Sequence, residues 1–199
     1  MKRAVLDMNK FSLIFLLCCF SLSFSQSKNE REERIPSSEF PEEAHRYFNG
    51  ITDKVNYLKF YRETDGDKKS YEAKFKLNKL YYSVEFSTEG VLEDIEIIIK
   101  KKHIPKPVLE QIEHYLDTNF ERSRFIKIQK KYVNNTSKND KQFIDYIIEN
   151  PESINTHYEI IAETKSRNDH QLRELTFTNL GEFKKSRKVS SSSYEHALY

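Results

Sequence analysis

The acidic side chains Glu93, Asp94 and Glu96 come closest, by type and spacing, to residues that could do chemistry. Paired carboxylates are common acid–base groups in hydrolases. These three alternate with Ile95 and Ile97, however, and a period of two is typical of a strand with one solvent-facing side. The pattern therefore favours a polar strand surface over a catalytic pair, and a hydrolase that uses surface carboxylates is retained only as a third hypothesis.

Signatures of metal binding and of nucleophilic catalysis are missing from the sequence. The six histidines never fall at a metal-ligand spacing such as H-x-x-x-H. Residues 65–67 (DGD) lack the rest of a calcium-binding loop and fit a hairpin turn better. There is no G-x-S-x-G motif, and four glycines leave no phosphate-binding loop. We therefore predict no catalytic residues, no metal ligands and no cofactor, so the protein is not expected to be an enzyme.

The first 25 residues have the three parts of a secretory signal peptide. Lys2 and Arg3 open a basic flank, an apolar run of about fourteen residues follows, and small residues precede Gln26. The sequence predicts cleavage near Ser25–Gln26 and export to the periplasm or the outside. An N-terminal membrane anchor is the alternative, but a span needs about 20 apolar residues. Translation could also start at Met8.

Both cysteines of the chain, Cys18 and Cys19, lie in this apolar run. Leu16 and Leu17 precede them where a lipoprotein signal needs small residues, so a lipid anchor is disfavoured. Cleavage would leave no cysteine for a disulfide. It would also take three of 33 basic and one of 31 acidic residues, leaving 30 of each. A neutral mature chain without an apolar span predicts neither a nucleic-acid partner nor stable membrane insertion.

The mature chain changes between helical and strand periodicity twice. Phe40, Ala44 and Phe48 fall at helical spacing, and residues 54–99 then alternate with a period of two through four strands separated by turns. Residues 103–120 are again helical, and strand patterns follow to about residue 188. The fold class predicted is α+β, a tandem repeat of one helix plus an antiparallel sheet of about four strands, with the helices on one face of the sheet.

The predicted organisation has five parts. Residues 1–25 are the signal peptide, 26–37 a flexible lead-in, 38–102 the first repeat, 103–189 the second repeat and 190–199 a mobile tail. The second repeat carries an insertion at residues 133–157, within which "KQFIDYIIENP" predicts a short helix ending before Pro151.

The stretches "YEAKF", "YYSVEFSTEGVL", "IPKPV" and "LTFTNLGEF" in this order resemble the PepSY-like family, exported proteins common in Bacteroidetes that are akin to the β-lactamase inhibitory protein. The resemblance covers about residues 38–189, and the insertion departs from it. It implies a non-enzymatic binding or inhibitory module of the cell envelope. A shared fold does not imply inhibition of a β-lactamase.

One face of the first predicted sheet carries tyrosines among charged residues, out of phase with Leu58, Phe60 and Tyr82. A face without a covering helix is either merely solvated or a protein-binding surface. The predicted partner-binding residues share that face: Tyr57, Lys59, Tyr61, Lys74, Tyr81, Ser83 and Glu85.

Two functional hypotheses follow, besides the hydrolase. The first is an exported, non-catalytic module that binds an unidentified envelope or secreted protein, with inhibition as one form of that function. The second is a periplasmic carrier that holds a small molecule between sheet and helices, suggested by the aromatic residues Phe48, Phe75, Tyr82 and Phe86. Such residues are more often plain packing.

Overall fold

The computed structural model describes residues 27–51, 54–167 and 169–190. The predicted signal peptide, its cleavage site and most of the predicted C-terminal tail lie outside the described residues. Within the described part of the chain, no helix is long and apolar enough to span a membrane.

In the described part of the chain, ten strands form a single sheet in the order β1-β10-β9-β8-β7-β6-β5-β4-β3-β2. From β2 to β10 each strand pairs antiparallel with the next along the chain, whereas β1 pairs parallel with β10. The strands are β1 Ser27–Lys28, β2 Glu30–Ile35, β3 Asn56–Asp65, β4 Lys68–Leu77, β5 Leu80–Phe86, β6 Leu92–Ile98, β7 Arg122–Tyr132, β8 His157–Ser166, β9 Asp169–Thr178 and β10 Phe183–Val189.

The N-terminal segment brings the two ends of this sheet together. Strands β1 and β2 are separated by Asn29 alone, yet β1 pairs with β10 and β2 pairs with β3. The backbone N–H of Asn29 donates to Asp65 at the end of β3, over 2.9 Å. A short segment that pairs with both edges converts the open sheet into a nearly closed barrel, which removes the edges that isolated sheets leave exposed.

Among the described residues, three α-helices accompany the barrel: α1 Glu42–Arg46, α2 Lys106–Asn119 and α3 Asp140–Glu149. Helix α2 begins after Pro105, and a proline in its first turn suits a position where the backbone N–H has no helical partner. Helix α3 starts with a capping box in which Asn139 and Gln142 exchange side-chain-to-backbone hydrogen bonds. This is the helix predicted within the insertion, and it ends before Pro151 as expected.

The apolar core lies between the helices and one face of the sheet, in two clusters. Ala44 and Phe48 of the α1 region and Ile144 of α3 pack over β3 to β6, and Ile112 and Leu116 of α2 pack over β7 to β9. The predicted phase of β4 and β5 is confirmed because the core-facing set is the one expected from alternation: Ala73, Phe75, Tyr82, Val84 and Phe86, all buried.

The predicted fold class is wrong. The chain does not form a tandem repeat of two helix-plus-sheet units, because β6 pairs directly with β7 and the two halves share one continuous sheet. Residues 27–35, expected in a flexible lead-in, supply two further strands that close it. Residues 30–34 of the lead-in are all charged, so it has no apolar phase from which a strand could be predicted.

Gly181, a hairpin glycine with a positive φ, lies against the start of α2. A Cβ on Gly181 would lie 2.7 Å from the backbone oxygen of Val108 and 2.9 Å from Cβ of Gln111. A Cβ on Gly66, whose φ is also positive, would meet nothing within 4 Å. The contrast separates the cost of backbone strain from the cost of a clash with α2.

We expect Gly181→Ala to lower the free energy of unfolding by about 2–3 kcal/mol, because it adds a clash to the cost of a left-handed backbone. Gly66→Ala should cost only about 1 kcal/mol. Urea titrations of both variants measure the difference, and equal losses would show that the approach to α2 is unimportant.

Candidate functional site

The second face of the sheet is turned inward and encloses a charged cavity. Its volume is about 230 Å³, and the residues that line it come from nine of the ten strands. All thirteen are charged. The acidic members are Glu30, Glu63, Asp65, Glu72, Glu85, Asp94, Glu96 and Glu159, and the basic members are Lys28, Lys68, Lys131, Lys185 and Arg187. The interior therefore holds an excess of acidic side chains.

Glu174 organises the ion pairs at the point where the barrel closes. Its carboxylate accepts from Lys28 of β1 over 2.8 Å and from Arg187 of β10 over 2.7 Å. Arg187 also reaches Asp65 of β3 over 2.5 Å. Burial alone would raise the pKa of Glu174, but Lys28 and Arg187 outweigh it and lower that pKa to about 2. One buried anion thus connects the last strand with the segment that closes the barrel.

Lys131 stands at the centre of a second group. Its ammonium lies 2.8 Å from Asp94, 3.4 Å from Glu96 and 3.4 Å from Glu159. Burial raises the pKa of Asp94 and of Glu159 to about 7, because one lysine offsets only part of the cost of three desolvated carboxylates. The sequence-based prediction that Asp94 and Glu96 face solvent is wrong, since their strand face points into the barrel.

Three further carboxylates converge on the wall formed by β2 and β3. One oxygen from each of Glu30, Glu32 and Glu63 lies within 4.8 Å of the others. Burial and the nearby charges of Glu30, Glu72 and Glu85 together raise the pKa of Glu63 to about 10. The fold therefore favours the protonated form of Glu63 at neutral pH.

Five of the predicted partner-binding residues lie in or beside this interior. Lys74 makes ion pairs with Glu32 at 2.7 Å and with Glu72 at 3.0 Å, and its ammonium lies 5.2 Å from the centre of the Tyr61 ring. The hydroxyl of Ser83 donates to Glu72.

The fourth of these residues, Glu85, accepts from Lys68 over 2.8 Å. Register places Lys59 on the same face, opposite Lys74. Lys74, Ser83 and Glu85 would thus reach a protein partner only if the barrel opened.

Tyr57 and Tyr81 lie at the rim instead. Tyr57 is 75% exposed and has a φ of +62°, within a bulge where the pairing of β3 with β4 shifts between Asn56 and Lys59. Tyr81 is 52% exposed, and the ammonium of Lys76 lies 4.8 Å from the centre of its ring. Because Lys76 pairs with both Asn56 and Tyr81, the two tyrosines flank one stretch of the barrel rim.

Most of the interior charges were not predicted as functional residues. The available signal was a charged side chain at the polar phase of successive strands, as in Glu72 and Lys74 on β4 or Lys127 and Lys131 on β7. That pattern also describes an ordinary solvated face. Two carboxylates that pair with lysines of this interior, Glu30 and Glu32, belong to the segment expected to be flexible.

Comparison with known proteins finds only distant likenesses. No protein-family profile matches the chain, and no curated protein matches it. The structure is similar to that of a DUF2874 family protein from Bacteroides ovatus, at 14% identity over 74% of this chain and 86% of that chain, with a TM-score of 0.49. A protein from Bacteroides eggerthii, provisionally described as periplasmic, gives 10% identity, coverages of 74% and 88% and a TM-score of 0.49.

A BLIP-like protein from Bacteroides fragilis is similar at 12% identity over 77% of this chain and 86% of that chain, with a TM-score of 0.48. The expected likeness to proteins akin to the β-lactamase inhibitory protein is thus found, whereas the narrower PepSY-like assignment stays a prediction. No function follows from a likeness this distant.

Proposed function

We propose that this chain is an exported, non-catalytic binding protein that holds a small charged ligand inside its barrel. The observation that carries the proposal is the barrel cavity of about 230 Å³ whose lining consists entirely of charged residues. Removing charged groups from water costs free energy even where they form ion pairs, and a site for a charged ligand accounts for that cost. The signal-like N-terminus supports export.

The barrel interior is not the ligand site that the sequence suggested for a carrier, which lay between the sheet and the helices. The aromatic residues thought to enclose a ligand between sheet and helices pack on one another: Phe48 contacts Phe75 and Phe86, and Phe75 stacks on Tyr82 with ring centres 5.0 Å apart. A ligand of the barrel interior would meet carboxylates and ammonium groups instead, which selects a charged compound over an apolar one.

Native mass spectrometry of the full chain recovered from an expressing bacterium tests the proposal. We expect a bound small molecule that is released on denaturation and is lost from Glu96→Met, which removes one interior charge with little change in volume. The control is Glu110→Met on the exposed side of α2, which should retain the ligand. Retention by both variants, or turnover of the released compound by the protein, would contradict the proposal.

Protein binding at the rim is a second candidate, favoured by the exposure of Tyr57 and Tyr81 beside Lys76. Tyrosine offers a large contact area at low cost in side-chain entropy. Inhibition of an envelope enzyme would be one outcome of such binding.

For this candidate we expect Tyr57→Ala or Tyr81→Ala to weaken binding of a captured envelope protein by about 1–2 kcal/mol while the fold stays intact. Titration of the purified partner measures the loss, and circular dichroism checks the fold. Tyr146→Ala on α3 is the matched control, because Tyr146 is also exposed and also contacts a lysine. Equal losses at Tyr146 would exclude the rim as the specific surface.

A further inference from the structure

A row of three basic side chains crosses one end of the sheet, where β7, β8 and β9 lie side by side. Register places Arg122 of β7 opposite Lys165 of β8, and Lys165 opposite His170 of β9. Residues directly opposite each other on neighbouring strands project from the same face, with Cβ atoms about 4.5–5.5 Å apart. All three are exposed, and none of them lines the cavity. This basic row is therefore a feature separate from the acidic interior.

The basic row lacks a counter-charge of its own. Within the described residues, the side chains of Arg122 and Lys165 make no ion pair and no hydrogen bond. The carboxylate that register places beside them on the same face is Glu163, which binds Arg124 at two points, over 3.0 and 2.8 Å. The hydrogen bond from Arg124 lowers the pKa of Glu163, and the charge of His170 adds to the effect. Three permanent cations thus share one carboxylate, which leaves an excess of two positive charges.

Like charges in register occur elsewhere in the sheet, but there they have partners of opposite sign. Glu72 of β4 lies opposite Glu85 of β5. Lys74 pairs with Glu72 at 3.0 Å, and Lys68 pairs with Glu85 at 2.8 Å. Like charges directly opposite each other destabilise a sheet. In the basic row the described residues leave that repulsion uncompensated, so an anion from outside the described chain would stabilise it.

Backbone contacts hold the basic row in place. The N–H of Glu121 donates to the carbonyl oxygen of Lys165 over 2.9 Å, and the N–H of Arg167 donates to the carboxylate of Glu121 over 2.8 Å. These two bonds tie the start of β7 to the turn between β8 and β9. The carboxylate of Glu121 is thereby engaged by the turn, and Arg122 and Lys165 are positioned side by side without a ligand.

We propose that the basic row binds the phosphate group of a soluble phosphate monoester. The guanidinium of Arg122 has the geometry to donate two parallel hydrogen bonds to phosphate oxygens, and the ammonium of Lys165 supplies a point charge. The imidazole of His170 adds an N–H donor. A phosphate monoester carries a charge of about −1.5 to −2 at pH 7, which matches the excess of two positive charges better than a single carboxylate does. The site lies outside the cavity and does not depend on the proposed ligand there.

Isothermal titration calorimetry on the full chain with glycerol 3-phosphate, at pH 7 and constant ionic strength, tests the inference. We expect saturable binding of one equivalent. Arg122→Gln and Lys165→Gln should each weaken it about tenfold, because each removes a charged donor. The matched control is Lys69→Gln on β4, since Lys69 is also an exposed strand lysine without an ion pair in the described part of the chain, and it should leave the affinity unchanged.

Glu163→Gln should act in the opposite direction. It removes the carboxylate that competes with the phosphate and releases Arg124 as a further donor, so the affinity should rise about threefold or more. A variant that failed to fold would lose binding, so a gain cannot arise from misfolding. Glu96→Met, which alters the cavity, should bind glycerol 3-phosphate as the native chain does, and this separates the present site from the proposed function.

Three results would overturn the inference. One is the absence of saturable heat from glycerol 3-phosphate, and another is an equal loss in Lys69→Gln and Lys165→Gln. The third is binding to phosphatidylcholine vesicles that contain phosphatidic acid, but not to glycerol 3-phosphate, because this would assign the basic row to a lipid surface. Circular dichroism on Arg122→Gln and Lys165→Gln establishes that both variants are folded before their affinities are compared.

Discussion

Replacing Glu174 with glutamine should lower the free energy of unfolding by about 3–5 kcal/mol, because it leaves two buried cations without their shared anion. Glu174 is only 2% exposed, and it is the common acceptor of Lys28 and Arg187. Without that anion, Lys28 keeps only Glu30 and Arg187 only Asp65 as carboxylate partners in the described part of the chain. Urea unfolding at pH 7, followed by circular dichroism, gives the change in stability.

The matched control is Glu163→Gln, which breaks a two-point ion pair with Arg124 on the barrel exterior. Its hydrogen bonds, of 3.0 and 2.8 Å, are as short as those of Glu174, but the side chain of Arg124 is 69% exposed. Exposed pairs contribute at most about 1 kcal/mol. A loss for Glu174→Gln no larger than for Glu163→Gln would mean that the closing ion pairs do not stabilise the barrel.

The free energy of unfolding should fall by several kcal/mol between pH 5 and pH 9. Burial raises the pKa of Glu63 from 4.5 to about 10, of Asp94 from 3.8 to about 7 and of Glu159 from 4.5 to about 7. Above the ordinary values the unfolded chain loses protons that the folded chain keeps. Raising the pH therefore favours unfolding until each folded-state pKa is passed.

Glu174 acts in the opposite direction at low pH. Its pKa is lowered from 4.5 to about 2, so the stability that it contributes is complete above pH 4.5 and is lost as the pH falls towards 2. Maximum stability is thus expected near pH 5. Urea titrations at unit pH steps measure the profile, Glu63→Gln should flatten its alkaline side, and Glu149→Gln should leave it unchanged. A level profile from pH 5 to pH 9 would show that the interior carboxylates stay ionised.

The helices and the strand phases could be predicted because apolar periodicity reports directly on burial. Val108, Ile112 and Leu116 mark the buried side of α2, and all three belong to the second core cluster. Alternation likewise assigned Ala73 and Phe75 of β4 to the core face. Since one side of these elements is apolar, a shift of one residue would expose the whole set, and the pattern permits only one phase.

The charged interior could not be predicted. It exists because β1 and β2 pair with the two edges of the sheet, and hydrophobic periodicity does not show which strands pair. Alternation shows that Glu72 and Glu96 share a polar face, but not whether that face is convex and wet or concave and enclosed. The difference is decided by residues 27–35, whose strands depend on edges supplied by β3 and β10. The position of Tyr57 could not be predicted from alternation either, because a bulge and a positive φ remove it from the register of its strand.

The closure of the barrel by its first residues has a consequence for the order of folding. Ser27 pairs with Lys188, which is 161 positions later in the chain, so the first strand of the sheet has its partner in the last. Contacts of such sequence separation slow folding, because the entropy of closing the loop is lost before the contact forms. The hairpins from β3 to β10 can assemble one after another, but β1 must wait for the final strand. The acidic interior therefore stays open to solvent until β10 has formed, and any ion or small molecule present at that moment can enter before β1 and β10 pair.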